Sequence, residues 1–151
     1  MLLRKMVFLI AAVLSLGRPC LAQTVVTVRV IDARSAKPIK NRQVWIQFYP
    51  QGSQKIQRTE NMSGSDGRAD FHLPEPPPET IYISFTRDDL FCGGLTEMKM
   101  QELLTKGISA KGCQLKLSGR ASHLSAKPGE AILFVRRPPW WYRLLAPLER
   151  E

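Results

Sequence analysis

Apolar and polar residues alternate along Thr24–Asp32, TVVTVRVID. Val26, Val28 and Val30 fall on one face, with Thr27 and Arg29 on the other, which is the period of a half-buried strand. Gln43–Tyr49, QVWIQFY, repeats the pattern. Val44, Ile46 and Phe48 share one face; Trp45, Gln47 and Tyr49 share the other. Arg68–Leu73 alternates through Ala69, Phe71 and Leu73, and Ile81, Ile83 and Phe85 alternate with Tyr82, Ser84 and Thr86. Ala131–Val135 is a short apolar run fit for a last strand, and Lys55–Thr59 and Gln114–Leu117 are weaker strand candidates. One stretch has a helical look. Thr96 is placed to cap it, Met98, Leu103 and Leu104 supply an apolar side, and Gly107 closes it. The cap is incomplete, because Lys99 and Met100 stand where a glutamate would complete the capping box.

Turn residues separate these segments. Pro38 interrupts ARSAKPIKNR, Pro50, Gly52 and Ser53 end the second strand, Ser65-Asp66-Gly67 precedes the fourth, and Pro74–Pro78 follow it. Short alternating strands between Gly, Pro and Asp turns predict an all-β protein. The expected architecture is an antiparallel sandwich, immunoglobulin-like or prealbumin-like, with one short helical insertion at about 95–107. No internal repeat is present.

The N-terminus changes the picture by adding a compartment. Arg4 and Lys5 form a basic head, Met6–Leu16 is apolar, and a small residue follows at Ala22. This is the plan of a secretory signal peptide over residues 1–22, cleaved after Ala22. The apolar run is too short to cross a bilayer of about 30 Å as a helix. The expected location is therefore outside the cytoplasm: secreted, periplasmic or in the cell envelope. An uncleaved anchor is the alternative. The rest of the chain, one domain over 23–137 and a tail over 138–151, is long enough for a single core.

The net charge is +9, from 22 basic and 13 acidic residues. A basic exported domain could meet anionic envelope polymers or lipid. The basic residues are spread along the chain, which argues against a nucleic-acid site. Cys20 belongs to the leader, so Cys92 and Cys113 remain, and an exported chain with two cysteines favours a disulfide. With two cysteines and the distant His72 and His123, zinc spacing is absent.

The segments VTVRVIDARSAKPIKNRQVWIQF and SGSDGRADFHLP resemble the carboxypeptidase-regulatory-like domains, prealbumin-like sandwiches of exported proteins. The first carries Asp32, Ser35, Pro38, Ile39 and Val44 in the family's spacing. The second carries Ser65, Asp66, Gly67, Ala69 and Phe71, with a shorter turn than usual. The resemblance covers roughly residues 24–86. It implies that Asp66 and Gly67 form a sandwich corner rather than a metal loop, and one Asp with only Asp70 near it is far short of calcium's oxygen count. Hydroxyisourate hydrolases share the sandwich but carry paired histidines and a Tyr-Arg-Gly-Ser C-terminus. Here the chain ends Leu-Glu-Arg-Glu, and His72 and His123 stand in unmatched contexts.

No catalytic residue, metal or cofactor is therefore expected. The expected role is a binding or accessory module for a protein or glycan, with a small extracytoplasmic hydrolase as the alternative. Two surfaces are candidates. One is Trp45 and Tyr49 with Gln47 between them, where aromatic and polar groups interleave. The other is the tail, in which Trp140, Trp141, Tyr142, Arg143 and Leu144 follow Arg136-Arg137-Pro138-Pro139. Such a tail suits its own sandwich, a partner groove or a membrane interface.

Overall fold

The computed structural model describes residues 23–85, 95–111 and 116–136. They form an all-β sandwich with two short helices. In chain order the elements are β1 (Thr24–Asp32), β2 (Gln43–Phe48), β3 (Gln57–Met62), β4 (Arg68–Leu73), β5 (Thr80–Phe85), β6 (Thr96–Lys99), α1 (Met100–Lys106), β7 (Ile108–Lys111), α2 (Gly119–Ser122) and β8 (Glu130–Val135). One sheet has the order β4-β1-β8-β7 and the other β3-β2-β5-β6.

The alternating residues meet between the sheets. Val26, Val28 and Val30 of β1 and Ala69, Phe71 and Leu73 of β4 face Val44, Ile46 and Phe48 of β2 and Ile81, Ile83 and Phe85 of β5 in one buried core. β8 lies in the middle of its sheet and is buried on both faces, so its sequence is a continuous apolar run rather than an alternation. The outward side of β8, through Ile132 and Phe134, supports a second, smaller cluster with Ile31, Ala33 and Ala121. Leu117, Leu124 and Ala126 pack on that cluster, so the segment around α2 covers part of the first sheet's outer face.

The expected all-β sandwich is present and largely antiparallel, and details within it differ from the pattern. The second sheet is antiparallel throughout, but β1 and β7 both pair with β8 in parallel. Neighbouring parallel strands need a long crossover, and the chain from Lys111 to Glu130 supplies one. The expected helix over 96–107 begins later. Thr96–Lys99 is a strand that pairs with the open edge of β5 and carries Met98 into the core. Lys99 is extended, the amide of Met100 donates to the Glu79 carbonyl at 2.8 Å, and the helix starts there without a side-chain cap.

Gly107 closes that helix. Its amide donates to the Leu103 carbonyl at 3.0 Å, and its φ of +74° brings the backbone against Ala126 and Lys127, where a Cβ would collide. The segment between the two cysteines therefore contributes one edge strand to each sheet as well as a helix. The expected strand at 114–117 lies partly outside the described residues; of it, Lys116 and Leu117 lie in no strand, and a strand not expected, β7, forms at Ile108–Lys111. β3 begins two residues later than expected and runs on to Met62. Residues 1–22, Cys20, Cys92, Cys113 and the tail from 137 lie outside the described residues.

Candidate binding face and cleft

The turn between β3 and β4 carries the chain from one sheet to the other. Gly64 and Gly67 close it, with the Gly67 amide donating to the Gly64 carbonyl at 3.0 Å. Asp66 Oδ1 accepts from the Arg68 amide at 3.1 Å, and Oδ2 lies 3.7 Å from Arg68 Nε. Gly67 has a φ of +75°. Its carbonyl accepts from the Val30 amide at 2.9 Å, and a Cβ there would fall 2.7 Å from the Val30 carbonyl oxygen. This is a corner in which the Asp side chain serves the local backbone.

The other segment behind the resemblance also does structural work. Asp32 Oδ1 accepts from the amides of Arg34 and Ser35 at 2.9 and 2.8 Å. Ser63, buried at the end of β3, donates to the Ile39 carbonyl at 3.0 Å and accepts from the Arg42 amide at 2.9 Å. The loops β1–β2 and β3–β4 are thereby stitched together at one end of the sandwich.

The outer face of the second sheet carries the aromatic candidates. Directly opposed residues of an antiparallel pair share a face. Trp45 stands opposite Glu60 and Ser84, and Gln47 opposite Arg58 and Tyr82. Tyr82 in turn faces Glu97 on β6. The face therefore mixes Trp45, Tyr82 and Gln47 with Arg58, Glu60, Glu97 and Lys99, two cations against two anions. Trp45 is half-buried because the Arg58 guanidinium lies over its ring, 4.4 Å from the centroid. Its ring is therefore occupied by a cation from its own sheet.

Among the described residues Tyr49 is exposed, and Tyr82, half-buried like Trp45, stands beside it. Tyr49 follows β2 and is 47% exposed. Both line an open cleft of about 590 Å³ with Gln51, Gly52, Glu79 and Thr80. A larger groove of about 860 Å³ runs between Pro77–Thr80 and Lys99–Lys106, and it shares Glu79 and Thr80 with the cleft. Of the two residues first expected on this surface, Tyr49 is in the cleft, whereas Trp45 lies beneath Arg58. Tyr82 is the added member. Its signal was its polar-face position in the alternation of β5, but nothing in the linear chain set it beside Tyr49.

His72 lies exposed on the outer face of β4, opposite Val25, and His123 is the exposed residue after α2. Neither lines the cleft or the groove. On the first sheet, Glu130 is 5% exposed. Its Oε1 accepts from Arg29 Nη1 at 3.2 Å and lies 3.8 Å from Arg68 Nη2, and its Oε2 accepts from the Lys127 amide at 3.2 Å. This acid is fully engaged in holding β8 to β1 and the incoming loop. Among the described residues no group of three or more His, Cys, Asp or Glu could hold a metal, and no helix is long and apolar enough to cross a membrane. Trp140, Trp141, Tyr142, Arg143 and Leu144 lie outside the described residues.

No protein-family model and no curated protein matches the chain. Among solved structures, a 9R-lipoxygenase from Cyanothece PCC8801 aligns with a TM-score of 0.37 and 9% identity, over 82% of this chain and 18% of that one. The chain thus spans under a fifth of that protein's length, and a likeness at that score carries no argument about activity or ligand.

Proposed function

We propose that this is an exported, non-catalytic binding module of the carboxypeptidase-regulatory-like kind, and that it holds a neutral glycan chain in the Tyr49–Tyr82 cleft. The observation that carries the reading is that cleft. An exposed Tyr49 and a half-buried Tyr82 stand among the amide of Gln51, the carboxylate of Glu79 and the hydroxyl of Thr80. Aromatic rings cover the apolar face of a sugar, and amides and carboxylates bond its hydroxyls. The charge balance of the adjoining face favours an uncharged ligand. The module reading is supported by the stitched loops and the Gly67 corner, which are the segments behind the resemblance.

Export rests on the leader over residues 1–22. A Cys92–Cys113 disulfide is consistent with the topology. β5 reaches Phe85 beside Val44, and β7 reaches Lys111 beside Phe134, so both strands end on the side where the β1–β2 loop crosses.

The test is affinity electrophoresis of residues 23–151 through gels containing mixed-linkage β-glucan, cellulose ether or soluble chitin derivative. Retardation by one of these, weakened about tenfold by Tyr49→Ala or Tyr82→Ala, is expected. Retardation that neither substitution changes, or no retardation by any neutral polysaccharide, would overturn the reading.

A further inference from the structure

We propose that β3 pairs edge to edge with β3 of a second copy of this chain, about a two-fold axis through Thr59. None of the residues involved lines the tyrosine cleft, so the contact stands independently of the glycan reading.

β3 is an outer strand of its sheet, and among the described residues no strand pairs with its free edge. Such an edge offers unpaired amides and carbonyls to any strand that matches it. Alternation along an antiparallel ladder tells which residues offer them. The amide of Ser63 donates to the Arg42 carbonyl at 2.8 Å, so the backbone of Ser63 is turned toward the β2 side. Counting back in twos, Asn61, Thr59 and Gln57 turn the same way, and Met62, Glu60 and Arg58 turn to the open edge. The Met62 amide donates to Asn61 Oδ1 at 2.8 Å, which caps that end of the edge. The groups on offer are therefore those of Arg58 and Glu60.

One register lets two identical copies of this strand meet without conflict. Centred on Thr59, it sets Arg58 opposite Glu60 of the second copy, and Gln57 opposite Asn61. The amides and carbonyls of Arg58 and Glu60 then close on one another across the edge. Carried one residue beyond the strand, the same register sets Ile56 opposite Met62 of the second copy, and these side chains are 56% and 54% exposed in the single chain. Cation meets anion, amide meets amide, and apolar meets apolar. Centring on Arg58 or on Glu60 would place like charges directly opposite, which destabilises a strand pair. Centring between two residues would set the outer face of one strand, which carries Arg58, Glu60 and Met62, against the inner face of the other. The contact is one strand wide, so the dimer belongs to the weak class that concentration controls.

The experiment is sedimentation velocity of residues 23–151, which include every described residue, over a series of concentrations. Expected is a mass that rises from monomer toward dimer. Glu60→Arg, which sets cations opposite one another, should weaken the dimer at least about tenfold. Arg58→Glu/Glu60→Arg, which exchanges the charges and keeps them opposed, should regain it. Oxidation reads the register without depending on those variants. Opposed residues of a non-hydrogen-bonded pair have Cα atoms about 4.5 Å apart, within the span of a disulfide, so Thr59→Cys, on the axis, should give a covalent dimer. Glu60→Cys, off the axis, and the wild-type chain should not. A chain still monomeric at about 1 mM, a dimer indifferent to Glu60→Arg, or a Glu60→Cys chain that crosslinks as readily as Thr59→Cys would each sink the proposal.

Discussion

The carbonyl oxygen of Val30 occupies the space where a side chain on Gly67 would begin, 2.7 Å from the ideal Cβ position. Gly67 also holds a φ of +75° and accepts from the Val30 amide. Backbone conformation and close approach thus demand glycine twice over. Gly67→Ala should cost about 2–4 kcal/mol, the sum of a left-handed penalty of about 1–2 kcal/mol and the backbone shift that relieves the clash. Urea unfolding with Gly52→Ala alongside checks it. Gly52 shares the positive φ but has nothing within 4 Å, so a loss no greater at Gly67 than at Gly52 would refute the steric part.

Ser63→Ala should destabilise by about 1–3 kcal/mol. The hydroxyl is buried and bonds two backbone groups of the β1–β2 loop, the Ile39 carbonyl and the Arg42 amide, and its removal leaves both without that partner. The exposed Ser65→Ala should stay within about 0.5 kcal/mol. Thermal melts of the two variants make the comparison, and equal midpoints would show that the stitch contributes nothing.

Glu130→Ala should cost about 2–4 kcal/mol, because it leaves Arg29, whose side chain is 17% exposed, without its carboxylate. The double change Glu130→Leu/Arg29→Leu should recover most of that loss, since two apolar residues leave no uncompensated charge behind. A double variant as unstable as Glu130→Ala would place the cost in packing rather than in the ion pair.

Arg58 and Trp45 should couple by about 0.5–1 kcal/mol in a double-mutant cycle with Arg58→Ala and Trp45→Leu, the range for a partly exposed cation over an indole. If Arg58 shields the ring from ligand as well, Arg58→Ala should strengthen retardation by neutral glycan while lowering stability. Weaker retardation would make Arg58 part of the binding surface instead of a cover.

The central strands and the edge strand β4 were legible because each carries its environment in its own letters. β1, β2, β4 and β5 alternate, having one face in the core, and β8 is apolar from Ala131 to Val135, having both faces covered. The other edge strands, β3, β6 and β7, were not. β3 is polar on both faces and almost wholly exposed, so its extent comes from pairing with β2. Thr96–Lys99 and Ile108–Lys111 are four residues each, too short for a period to declare itself. The apolar residues Met98, Met100, Leu103 and Leu104 suit a helix as well as a strand that turns into one, and the open edge of β5 selected the latter.

The sequence by itself determined the core-facing sets, the glycine corner at Gly67 and the glycine stop at Gly107, because water exclusion and backbone sterics act residue by residue. Only the tertiary structure decided which neighbours those residues acquired. It set Tyr82 beside Tyr49 and laid Arg58 over Trp45. The physical reason is distance along the chain. Local pattern records whether a residue is wet or dry, whereas a surface is made by strands that sheet order brings together from opposite halves of the sequence.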